Sequence, residues 1–221
     1  MKRPLLIKRM AALLMLSGIV AFIAYLLYAS IGNYLWEEYD PITTDISSLS
    51  AEGAPNQEIL RPFISVYGIA LLVFVVTYTF WNFHTKRNRI IKTGSILLLI
   101  MAIVTKYGYS LFPLEGDKTQ MTFQNIMHLV VTVLVVFLSI GGLFCLSAGY
   151  RRVDKSRTFG KFMLAAAIVF TLLGFTNPVG IVGNLNILGV TERLTIYTLH
   201  FIIALVGLYE SVGIYKELKG A

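Results

Sequence analysis

Residues 124–149 read QNIMHLVVTVLVVFLSIGGLFCLSAG, without one Asp, Glu, Lys or Arg. At about 1.5 Å of rise per residue, a helix of this length crosses the roughly 30 Å of bilayer hydrocarbon with residues to spare. A backbone inside hydrocarbon must satisfy its own N–H and C=O groups, so the stretch is read as a spanning helix. Working outward in both directions, five more apolar blocks meet the same length test. Together they predict spans at about 9–31, 62–83, 91–113, 124–149, 160–177 and 193–215. The composition agrees: 56% of the 221 residues are hydrophobic, 14% are charged and the mean hydropathy is +0.72. The reading is an all-α polytopic membrane protein, a bundle of six transmembrane helices forming one domain over residues 1–221.

Charge orients the bundle, because Lys and Arg in short loops stay on the cytoplasmic side. Lys2, Arg3, Lys8 and Arg9 precede the first span, and Lys86, Arg87, Arg89 and Lys92 join the second to the third. Arg151, Arg152, Lys155, Arg157 and Lys161 join the fourth to the fifth, and Lys216 and Lys219 follow the sixth. The other side collects Glu37, Glu38, Asp40, Asp45, Glu52, Glu58, Glu115, Asp117 and Glu192 against Arg61, Lys118 and Arg193. Both termini are therefore expected in the cytoplasm, in what reads as the cytoplasmic membrane of a prokaryote. The net charge of +7 is accounted for by topology and calls for no nucleic-acid partner. Cys145 is the only cysteine, which excludes an internal disulfide and a cysteine metal cluster.

The long element between spans is the first extracytoplasmic loop, from Gly32 to Arg61. Asp40-Pro41 and Gly53-Ala54-Pro55-Asn56 are turn signals, and Asp45 before Ile46-Ser47-Ser48-Leu49 reads as a capped turn able to dip back onto the bundle. The stretch Asn177–Leu185 is glycine-rich and uncharged and is expected to be an apolar loop.

Ionisable groups inside spans need a partner, a cavity or an interface. Depth counting places Lys106 on the third span, His128 on the fourth and His200 on the sixth within one outer-leaflet slab, and Asp45 of the first loop falls at the same depth. Gln124, His128 and Thr132 share a helix face, as do Arg193, Tyr197 and His200, and Lys106 shares one with Tyr109. Asp45 or Asp40 is the expected counter-ion of Lys106, and Glu210 is expected to pair with a basic loop residue near the cytoplasm. The bland alternatives are snorkelling for Lys106, a structural hydrogen bond for His128 and aromatic-belt positions for the tyrosines.

The Asp45–Leu49 and Gly53–Asn56 motifs, Phe112-Pro113 closing the third span, and His128 after an acidic outer loop carry a resemblance. The chain resembles the bacterial and archaeal membrane family known as domain of unknown function 998. Lys106 and His200 do not match that family's pattern. The resemblance implies a six-helix fold and no established activity.

Two functions follow from the residues themselves. In the first, a hydrolase or transferase acts on a membrane lipid or lipid-linked substrate, with Asp45, His128, His200 and Lys106 catalytic. Asp45, His128 and His200 are then candidate ligands of zinc or another divalent metal, and Tyr109, Gln124, Arg193 and Tyr197 bind substrate. In the second, a lipid-binding, sensing or accessory subunit uses the same polar groups without catalysis. A haem or quinone redox protein and a transporter are weaker alternatives, because one histidine pair in one leaflet does not carry electrons across a bilayer and no midplane charge marks an ion path.

Overall fold

The computed structural model describes residues 2–116 and 120–220, with side chains from residue 5 onward. The charges expected of Lys2, Arg3, Asp117 and Lys118 lie outside the described residues and side chains. The first apolar block folds as α1 (Lys2–Met15) and α2 (Ser17–Leu35). At the break Ser17 Oγ donates to the carbonyl of Leu14 at 2.6 Å, a side-chain bond of the kind that bends helices. α3 (Gln57–His84) follows the first loop, and α4 (Arg89–Ile103) follows a tight turn. A π turn (Val104–Gly108) carries α4 into the short α5 (Tyr109–Leu111). α6 (Phe123–Arg151), α7 (Arg157–Val182) and α8 (Leu188–Lys219) complete the chain.

Helix starts are written locally. The side chain of Asn88 accepts the N–H of Ile91 at 3.0 Å and that of Thr122 accepts the N–H of Asn125 at 3.2 Å, each satisfying a donor the helix cannot. Six helical stretches are long and apolar enough to cross a membrane, from Leu5–Leu35 to Leu188–Lys219. Among the described residues the only extended pairing is an isolated bridge between Glu52 and Glu115.

Successive spans pack side by side and the last returns to the first: α2 lies on α3, α3 on α4, α4 on α6, α6 on α7, α7 on α8 and α8 on α2. Tyr28, Phe74, Tyr78, Tyr150 and Phe170 are buried inside this ring, while Leu13, Ile69, Phe80, Phe137 and Leu172 point outward. Apolar side chains on both faces are what a lipid-bathed bundle requires. Small residues let the α4 and α6 backbones close up, as is common between spans: a Cβ on Gly94 would stand 3.0 Å from the carbonyl oxygen of Gly142.

The expected loop after residue 177 is instead helix. α7 runs through Pro178 to Val182. Asn177 is held by α8, its amide donating to Thr195 Oγ1 at 3.2 Å and its carbonyl accepting from Thr191 Oγ1 at 2.8 Å. With that side chain engaged sideways, the helix tolerates the single backbone bond that proline removes.

Candidate functional site

The first loop closes one end of the bundle, and the start of α8 holds it there. Asp45 precedes a 3₁₀ turn (Ile46–Ser50), and its Oδ1 accepts from Ser48 Oγ at 2.6 Å. This fixes the turn so that Ile46 and Leu49, each 1% exposed, enter the core. Tyr28 Oη donates to Ser50 Oγ at 2.9 Å from below. The open N–H end of the turn faces Glu192, whose carboxylate accepts from the backbone N–H of Ile46 at 2.5 Å and from Ser47 Oγ at 3.4 Å. A carboxylate at the N-terminus of a helical turn is favourably placed, and these bonds offset the burial of its charge.

Arg193, the next residue, grips the segment leading into the 3₁₀ turn. Its Nη1 donates to the carbonyls of Pro41 at 2.7 Å and Thr44 at 3.1 Å, and its Nη2 donates to Tyr39 Oη at 2.6 Å. The guanidinium also lies 5.4 Å from the Tyr39 ring centroid. Tyr39 Oη passes the contact on by donating to the carbonyl of Asp45 at 2.8 Å. Burial pushes the Tyr39 phenol up to about 12 although Arg193 pulls the other way, so it stays a neutral donor. Gly189 makes room, since a Cβ there would sit 2.4 Å from the carbonyl oxygens of both Pro41 and Thr44.

His200 lies below this cap, 4% exposed. Its Nδ1 is 2.7 Å from the carbonyl of Ile196, which only accepts, so Nδ1 carries the proton. Nε2 then accepts from Tyr67 Oη at 2.8 Å. Tyr25 stacks on the imidazole at 4.8 Å, and Tyr197 meets Tyr25 edge-on at 6.4 Å. Both ring nitrogens are thus engaged within the protein.

His128 belongs to a separate group. Its Nδ1 is 2.9 Å from the carbonyl of Phe112, where the third span ends ahead of Pro113. Tyr109 lies against the ring at 4.9 Å and donates to Thr132 Oγ1 at 3.2 Å, while Gln124 Nε2 donates to the carbonyl of Leu111 at 3.3 Å. These contacts fasten the α5 end to α6. The expected metal set of Asp45, His128 and His200 does not converge: among the described residues no three His, Cys, Asp or Glu side chains stand close enough to hold a metal ion. Asp45 is turned into its own loop, and each imidazole is drawn to a different helix.

Lys106 sits on the π turn, partly buried, inside the third span. Its Nζ lies 3.6 Å from the place a Cβ on Gly68 of α3 would occupy. The expected pair with Asp40 or Asp45 is not made, since Asp40 accepts instead from the N–H of Ile42 at 2.9 Å and from Thr43 Oγ1 at 3.0 Å. Among the described residues no carboxylate comes within 4.0 Å of the ammonium. At the opposite end, Glu210 pairs with Arg87 at 3.1 Å, as expected, and accepts from Tyr150 Oη at 2.5 Å.

Sequence reasoning passed over Glu192, Tyr39 and Tyr67. Glu192 was counted only as an outer charge, yet its position beside Arg193 at the start of a span was a signal, because adjacent opposite charges there face a loop rich in free N–H and C=O groups. Tyr67 carried no sequence signal among many tyrosines.

Fold and site together define a multi-pass α-helical membrane protein with one end of its bundle capped by the first loop. The chain belongs to the family described as Protein of unknown function (DUF998), whose profile matches residues 19–209. No curated protein and no solved structure matches the chain.

Proposed function

We propose that the chain is a non-catalytic lipid-binding protein of a prokaryotic cytoplasmic membrane, its capped end outside and both termini in the cytoplasm. The ligand is an anionic phospholipid of the outer leaflet, met through its phosphate by Lys106. The observation carrying this reading is the Lys106 ammonium, partly buried in a span on a π turn, with no protein carboxylate within 4.0 Å among the described residues. A cation in that position is costly unless an anion meets it, and π turns recur at functional positions. A lysine is a compact point charge suited to a phosphate oxygen.

The hydrolase or transferase reading is less well supported by the same geometry. A general base must have a ring nitrogen open to substrate, and His200 has neither. Arg193, Gln124 and Tyr109, candidates for substrate contacts, spend their polar groups on protein partners.

Native mass spectrometry of the full chain released from membranes tests the proposal. The parent should retain one anionic phospholipid, Lys106→Arg should retain it, and Lys106→Met should retain several-fold less. Equal retention by the parent and Lys106→Met would show that the ammonium merely snorkels.

A further inference from the structure

We propose a second site, independent of Lys106, at the turn between α6 and α7: a recess for a phosphate-bearing anion built by Arg151, Arg152, Arg157 and Lys161. The recess measures about 480 Å³, is open on one side and is lined by Ala148 beside the four cations. That is many times the ~30 Å³ share of one water molecule and leaves room for a phosphate with its substituent. Arg151 and Arg152 end one span, and Arg157 and Lys161 open the next on one face at i, i+4.

Hydrogen bonds tie the turn that carries them to both helices. Ser147 Oγ donates to the carbonyl of Gly160 at 3.2 Å, and the N–H of Ser156 donates to the carbonyl of Val153 at 2.9 Å. A Cβ on Gly160 would stand 2.5 Å from the backbone nitrogen of Arg151, so the two helices meet in backbone contact beneath the recess. The four exposed cations line one recess above this contact. None of them makes an ion pair among the described residues, although Asp154 lies in the same turn. Elsewhere in the molecule Lys8 and Arg87 do find carboxylates, Glu217 and Glu210.

The positive-inside rule explains cations at this boundary. It does not explain why four of them surround a recess and form no ion pair with the neighbouring acid, Asp154. Guanidinium forks bind phosphate oxygens in pairs, and three arginines with a lysine exceed what a single phosphodiester needs, so a phosphomonoester, a pyrophosphate or a multiply charged headgroup fits best. Such a ligand reaches the turn either as an inner-leaflet lipid or as a soluble phosphate.

The test uses the full chain in phosphatidylcholine nanodiscs, with cardiolipin added in one arm and pyrophosphate in the other, read by native mass spectrometry and by calorimetric titration. Arg152→Gln with Arg157→Gln should weaken binding at least tenfold. Lys86→Gln with Arg89→Gln, which removes the same charge from another basic turn, should change it less than twofold. Arg152→Lys with Arg157→Lys keeps the charge and guards against a folding artefact; it should fall between parent and glutamine pair. All are repeated on a Lys106→Met background so that the two sites are not confused. Saturable cardiolipin binding supports the site with a membrane source, and saturable pyrophosphate binding supports it with a soluble one. The site is overturned if the parent saturates with neither anion, if the glutamine pair binds like the parent, or if the control pair weakens binding as much.

Discussion

At the scale of single residues, the capped half of the bundle separates side chains tied to protein partners from Lys106, whose ammonium has no carboxylate within 4.0 Å among the described residues. His200 is tied at both nitrogens, to Ile196 and Tyr67, and stacked on Tyr25. His200→Gln should therefore lower stability by about 1–3 kcal/mol, the usual cost of leaving a buried polar partner unmet. Tyr67→Phe should lower it similarly, and the double variant by less than the sum, because both remove one interaction. Thermal unfolding in detergent reads this; additive losses would mean the pair is not coupled. Lys106 is the contrast, and removing it should alter lipid retention with little effect on folding. That Lys106, His128 and His200 fall on three different spans was legible in the sequence, because each lies within its own apolar block. Which way each imidazole turned was not, since their partners are a tyrosine and backbone carbonyls that no spacing singles out.

At the scale of elements, the first loop is a lid fastened by the first turn of α8. Asp45-Ile46-Ser47-Ser48-Leu49 announced a turn, and a 3₁₀ turn forms there, although Asp45 bonds the Ser48 hydroxyl and the N–H of Ile46 goes to Glu192 instead. Its clamp was hidden, because Glu192 and Arg193 are some 150 residues away in the chain and only the folded ring brings α8 beside α2. Arg193→Gln should release the segment from Tyr39 to Thr44, and Gly189→Ala should push Pro41 and Thr44 away from α8. Both variants should be cleaved several-fold faster between Tyr39 and Glu58 in limited proteolysis. Unchanged cleavage would mean that the apolar anchors Ile46 and Leu49 hold the loop unaided. The length of α7 was misjudged for a related reason: glycine and proline at 178–183 signal a loop in water, where the backbone can bond to solvent, and signal it less well in a bilayer, where leaving the helix strands N–H and C=O groups.

For the whole molecule, six spans followed from hydropathy, while the closure of the ring by α8 on α2 appears only in the fold. Orientation rests on charge. With Cys145 replaced by Ser, single cysteines at Thr43 and Asn184 should react with an impermeant thiol reagent in intact cells, and those at Thr85 and Lys155 only after lysis. The reverse pattern would invert the bundle and move Lys106 to the inner leaflet. The central claim is that the outer end holds a phospholipid and leaves it unchanged. The direct measurement is to reconstitute the purified chain with one labelled anionic phospholipid, incubate it for hours, and weigh both the bound and the released lipid by mass spectrometry, beside His200→Gln and His128→Gln. The account predicts intact lipid, bound one to one, in all three proteins that fold. Lipid cleaved or modified by the parent and spared by either histidine variant would contradict it.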